Sequence, residues 1–167
     1  FDDAMALGAA IGAAPDVGQV RKAHAKLGAG ISFEQKAGDN LGLFARLNWS
    51  DDKTETYAFT EVGRSVSFGG LLKGTAWRRA NDVLGMAVAV NMLGPDHRAY
   101  LAAGGSGAFL GDGGLNYGPE RVLEVFYSLQ VTKALAISPD FQLIQNPGYN
   151  RDRGPAKFVG VRVHAEF

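Results

Sequence analysis

The closing segment of the chain, Ala156 to Phe167, alternates without a break. Val159, Val161, Val163, Ala165 and Phe167 share one parity, and Phe158, Gly160, Arg162, His164 and Glu166 share the other. Successive side chains on a strand point to opposite faces, so this pattern gives one apolar face and one charged face. A half-buried strand of a soluble sheet can alternate this way. A strand that separates lipid from a water-filled lumen must.

Six further segments repeat the pattern. A first strand is expected from about Ala23 to Lys36, with Ala25, Leu27, Ala29, Ile31 and Phe33 opposed to Lys26, Gly28, Gly30, Ser32 and Glu34. Leu41 to Ser50 sets Leu43, Ala45, Leu47 and Trp49 against Phe44, Arg46, Asn48 and Ser50. Thr60 to Gly74 is a third, with Val62, Val66, Phe68 and Leu72 apolar. Arg64 falls on that apolar parity, so it either sits at the membrane edge and snorkels or marks a bulge that flips the register. Val83 to Met92, Arg121 to Thr132 and Leu135 to Asn146 complete the set. Pro139, on the outward parity of the sixth strand, weakens the local ladder. Helices are expected within residues 1–20 and at the start of the long segment after Met92, Pro95 to Ala103.

The connections sort by length. Those after strands two, four and six are long. Those after one and five are very short, and the one after three is moderate. Outer-membrane barrels combine short periplasmic turns with longer outer loops, whereas a soluble sandwich has no reason to sort them. With the carboxyl terminus on the periplasmic side, the long loops face outward. Trp49 then lies near the outer interface, with Trp77 and Phe167 near the inner one, where aromatic girdles belong. The fold class expected is all-β, an antiparallel transmembrane β-barrel. Seven strands leave two open edges, which lipid does not tolerate, so the chain reads as the carboxyl-terminal part of a single barrel domain covering 1–167.

Composition removes other classes. The 17 basic and 17 acidic residues cancel, which gives no basic footprint for nucleic acid. With no cysteine, disulfide scaffolds and thiolate chemistry are excluded. The 23 glycines suit sheets and loops rather than helical bundles. The run Gly104 to Gly111 lacks the ending of a phosphate loop, and His24, His97 and His164 have no ligand spacing. Asp51 and Asp52 read as a solvated loop tip, the alternative being contact with a divalent ion or lipopolysaccharide. Asp112 does not match a calcium loop. No nucleophile, base and orienter form a set, so neither an enzyme nor a cofactor is expected.

Residues 111–120 (Gly-Asp-Gly-Gly-Leu-Asn-Tyr-Gly-Pro-Glu), Tyr127-Ser128-Leu129, residues 146–155 (Asn-Pro-Gly-Tyr-Asn-Arg-Asp-Arg-Gly-Pro) and the closing Arg162-Val163-His164-Ala165-Glu166-Phe167 resemble the carbohydrate-selective porins of the OprB family. The resemblance implies a sixteen-stranded barrel in the outer membrane of a Gram-negative bacterium, of which this is the final portion. It implies passive, carbohydrate-preferring diffusion of small solutes. Outer-membrane lipid, lipopolysaccharide and small sugars would be its partners, and it leaves room for an oligomer. It also implies that Phe167 belongs to the signal read by the barrel assembly machinery.

Pore selectivity comes from lumen width and lining groups. The lumen parity supplies Lys26, Glu34, Arg46, Asn48, Glu124, Gln130, Asp140, Gln142, Arg162 and His164, with Phe126 and Phe44 as aromatic platforms for sugar faces. Arg46 and Glu124, near mid-strand, are the expected constriction residues. Two other readings stay open at this point: a structural or adhesive outer-membrane barrel with a plugged lumen, and a soluble sugar-binding β-sandwich.

Overall fold

Alternation on this scale leaves each strand with two incompatible faces, and the chain resolves this by pairing every strand with the next. The computed structural model describes residues 1–56 and 61–166. Its strands are β1 (Gly28–Ala37), β2 (Leu41–Ser50), β3 (Arg64–Gly74), β4 (Arg79–Met92), β5 (Glu120–Thr132), β6 (Leu135–Gln145) and β7 (Ala156–Ala165). They form one antiparallel meander in sequence order. β1 and β7 are the edges, and an open edge needs a partner strand in lipid. Two helices, α1 (Asp2–Ile11) and α2 (Pro95–Ala102), lie outside the sheet.

The registers keep like faces together. Ile31 pairs with Leu47, Leu47 with Val66 and Val66 with Val90. On the other face Glu34 pairs with Phe44, Phe44 with Gly69, Gly69 with Ala87, Ala87 with Glu124, Glu124 with Gln142, and Gln142 with Phe158. One face is therefore aliphatic and exposed, with Ile31, Phe68, Met86, Val159 and Val161 all uncovered. An apolar surface of this extent has no place in water.

Three boundaries differ from the sequence reading. β1 begins at Gly28 rather than Ala23, because the residues before it turn to the neighbouring loop: the Leu27 N–H donates to Asp51 Oδ2 at 3.2 Å and Lys26 Nζ to the Thr54 carbonyl at 3.3 Å. β3 begins at Arg64, and Thr60 lies outside the described residues. β4 begins at Arg79 rather than Val83: a 3₁₀ turn ends at Trp77, Arg78 takes a left-handed conformation (φ 63°), and the strand starts at the next residue. Arg64 is opposite Trp49 and Met92 without a register shift, so no bulge flips the register there and it keeps the parity of Val66. At Pro139 the β5–β6 pairing passes from Phe126–Asp140 to Leu129–Ile137, as expected where a residue has no N–H to give.

The buried core lies outside the sheet. Ala4, Leu93, Tyr100, Leu101 and Tyr149 are buried together, with Phe1, Met5, Val17, Val20, Leu110, Leu115 and Tyr117 packed around them. These residues come from α1, α2 and the long connections. They form a cap at the long-loop end.

Candidate functional site

The polar face of the sheet carries two side-chain groups. On β1–β3 the Arg46 guanidinium donates to Glu34 Oε1 at 3.2 Å and lies 5.2 Å from the centre of the Phe44 ring. A shallow hollow of about 410 Å³ is lined by Glu34, Lys36, Gly42, Phe44, Arg46 and Leu71. The Asn48 amide donates to Ser65 Oγ at 3.0 Å, nearer the long-loop end. On β5–β7, Glu124 sits opposite Gln142 and Phe126 opposite Asp140, with Arg162 one diagonal step further on β7. Glu124 and Asp140 are diagonal neighbours across the β5–β6 pair, and Asp140 and Arg162 are diagonal neighbours across β6–β7.

Glycine shapes the wall between them. A Cβ at Gly69 would lie 2.6 Å from the Phe44 ring, and one at Gly85 would collide with the Phe126 ring. Each ring therefore lies across the glycine directly opposite it, Phe44 over Gly69 and Phe126 over Gly85. Both rings are half-buried. A ring laid on a glycine keeps one face for whatever passes over the wall.

The expected constriction residues Arg46 and Glu124 are on the same face but not together. Two strands, β3 and β4, separate theirs, and Arg46 is level with Val122, two residues from Glu124, so they stand about 16 Å apart along the wall. Small residues (Ser67, Gly69, Ala87, Ala89) fill the interval. Gln130 is remote from both groups: its amide donates to the Thr132 and Leu135 carbonyls at 2.6 and 3.4 Å, within the short β5–β6 turn. Phe167, the expected assembly signal, lies outside the described residues.

Sequence reasoning missed a second cluster, in the cap. Asp52, read as a solvated loop tip, is only 1% exposed. It accepts the Gly94 N–H at 2.6 Å and meets His97 Nδ1 at 3.2 Å, with Lys26 Nζ at 3.8 Å. His97, also 1% exposed, has Glu61 Oε2 3.2 Å from its Nε2, a close charge contact off the hydrogen-bonding line. Phe1 stacks on the imidazole at 4.4 Å. Burial works against ionisation of all three groups. The hydrogen bonds and mutual charges outweigh it, so His97 is raised above its ordinary value while Asp52 and Glu61 are lowered. Tyr149 donates to the Glu61 carbonyl at 2.8 Å, and burial raises its phenol. Among the described residues no group of His, Asp and Glu is disposed to hold a metal ion. The cluster is a latch that ties the β2–β3 loop to α2. Its signal in the sequence was a pair of acids and one histidine far apart, with no periodicity to connect them.

Meandering strands with one lipid-compatible face, one polar face and loops sorted long and short define the wall of a transmembrane β-barrel. The family model described as carbohydrate-selective porin, OprB family, matches residues 2–167, and the chain belongs to that family. The chain is similar in fold to the high-pH structure of OprB from Pseudomonas putida, with a TM-score of 0.61 and 23% identity over 76% of this chain. It spans 30% of that chain. No curated protein sequence matches it. Membership of a porin family places the chain in the bacterial outer membrane, with the aliphatic face toward lipid and the polar face toward the lumen.

Proposed function

We propose that the chain forms part of the wall of an outer-membrane pore through which small sugars diffuse passively, with its polar face as a sugar-contacting surface. The observation that carries this is the pairing of aromatic and ionic groups on that face: Phe44 over Gly69 beside the Arg46–Glu34 pair, and Phe126 over Gly85 beside Glu124, Asp140 and Arg162. A sugar offers hydroxyls and a flat C–H face. Carboxylates accept from the hydroxyls, guanidinium and amide groups donate to them, and a phenyl ring covers the C–H face. Arg46, Glu34, Asn48, Phe126, Glu124, Asp140, Gln142 and Arg162 are the residues assigned to this contact. Gln130 is left out because the turn uses its amide.

Both charge signs occur in each group, which favours a neutral polar solute over an ion of one sign. The work is binding and release, with no bond made or broken. Swelling of liposomes containing the complete barrel, driven by glucose, tests the proposal. Alanine at Arg46 and Glu124 together should change the sugar-driven rate at least threefold while leaving swelling by a small salt within a factor of two. Unchanged sugar rates would remove both residues from the contact surface. A barrel that admits neither sugar nor salt would point to a plugged, structural role.

A further inference from the structure

We propose that the lipid-facing surface carries a binding site for phosphate-bearing lipid headgroups at its outer edge, formed by Arg64, Arg121 and Lys157. These residues lie on the same parity as the aliphatic face. Arg64 is level with Met92, Arg121 follows Val90, and Lys157 follows Leu143. Lipid-facing positions are expected to be uncharged. Among the described strands this parity carries one other charged residue, Asp82. It is buried at the opposite end, where Arg79, Tyr127 and the Gln130 N–H hold it. At the long-loop end the face thus carries cations alone. All three are exposed, and among the described residues none has a carboxylate partner.

Their placement is a level line. From Arg64 on β3 to Arg121 on β5 the register drops two residues, since Arg64 pairs with Met92 and Arg121 with Val90. From Arg121 to Lys157 on β7 it drops two more, since Arg121 pairs with Gln145 and Lys157 with Leu143. Two residues along a strand are about 7 Å, and two strands across are about 10 Å. The line is therefore inclined about 35° to the perpendicular of the strands. Strands of outer-membrane barrels tilt by roughly 35–45° from the barrel axis, so in the upright barrel the cations stand at one height. The strands' own ends step the same way: β2 and β3 pair up to Trp49–Arg64, while the β6–β7 pairing ends at Ile144–Ala156. Trp49, exposed beside Arg64, marks that height as the interface.

Neighbouring cations are about 12 Å apart by this geometry, within reach of one multiply charged headgroup or of adjacent ones. A bare cation at the hydrocarbon edge gains from an anion that sits at the same depth, and a guanidinium matches phosphate oxygens two at a time. The lumen plays no part in this site, so it stands or falls apart from the sugar-contact proposal.

The experiment is native mass spectrometry of the complete barrel in neutral detergent, titrated with a bis-phosphorylated lipid A and, in parallel, with its dephosphorylated form and with inorganic phosphate. The wild type should retain the phosphorylated lipid at least tenfold more tightly than the dephosphorylated one. The triple variant Arg64→Gln, Arg121→Gln, Lys157→Gln should lose that preference. A charge-matched control at the opposite end, Lys36→Gln, Arg78→Gln, Lys133→Gln, should keep it. Retention of heat-modifiable gel mobility checks folding, and Arg64→Lys with Arg121→Lys provides a milder variant that should keep at least partial preference. Equal loss in both triple variants, no loss in the first, or inorganic phosphate binding as tightly as the lipid would each overturn the assignment.

Discussion

Replacing His97 by alanine removes the cation that lies between two buried carboxylates, and the structure sets the size of the effect. Asp52 would keep the Gly94 N–H at 2.6 Å and Lys26 at 3.8 Å, and Glu61 would keep the Phe109 N–H at 3.2 Å. Breaking a buried ion pair from one side costs about 3–5 kcal/mol, and these retained partners put the loss at the lower end, about 3 kcal/mol. The loss is local, because the sheet's ladder does not depend on the cap. At about 1.4 kcal/mol per decade, amide exchange in α2 should accelerate on the order of 100-fold. Hydrogen exchange at pH 6 reads this at Arg98 and Ala103, whose N–H groups bond to Gly94 and Ala99, with β4 and β5 amides as internal controls. Acceleration of less than about threefold in α2, or equal acceleration in the strands, would refute the latch.

Further outcomes follow from the same geometry. Wild-type cap protection should peak in mildly acidic solution: the raised His97 contributes fully below about pH 6.5 and less as pH climbs through its folded value, while the lowered Asp52 and Glu61 contribute above about pH 4.5 and less as pH falls. An exchange profile flat from pH 4 to 8 would contradict this. Tyr149→Phe, which removes the donor to Glu61, should weaken the cap by about 1 kcal/mol without moving the unfolding temperature of the barrel. Gly85→Val should displace the Phe126 ring and lower single-channel conductance, and an unchanged conductance would show that the ring does not line the passage.

The sheet was legible because two solvents write on it. Lipid on one side and water on the other impose period two along every strand, so Leu41–Ser50 is recovered end to end and β4 to β7 agree within a few residues. The cap was not legible because no solvent boundary orders it. Ala4, Asp52, Glu61, His97 and Tyr149 meet only through tertiary packing. Asp51-Asp52-Lys53 has the composition of a solvated loop tip, and it is the tertiary contacts with Gly94 and His97 that make Asp52 a buried residue. The overlong first strand has the same origin: alternation runs on through Ala25 and Leu27, but their neighbour is the 51–54 loop rather than a strand. Among the lumen residues, parity identified the shared face. It could not show that Arg46 and Glu124 stand apart, or that Gln130 belongs to a turn, since those depend on register.

The absence of cysteine from the chain allows the most direct test of the two-faced wall. Single cysteines placed in turn at positions 123–126 of β5 and 140–143 of β6, in the complete barrel in lipid, can be titrated with a membrane-impermeant thiol reagent. Labelling should alternate, fast at 124, 126, 140 and 142 and at least tenfold slower at 123, 125, 141 and 143. Saturating sugar should slow the fast positions alone. Uniform labelling of both parities, or the opposite alternation, would contradict a lipid face and a lumen face on this sheet.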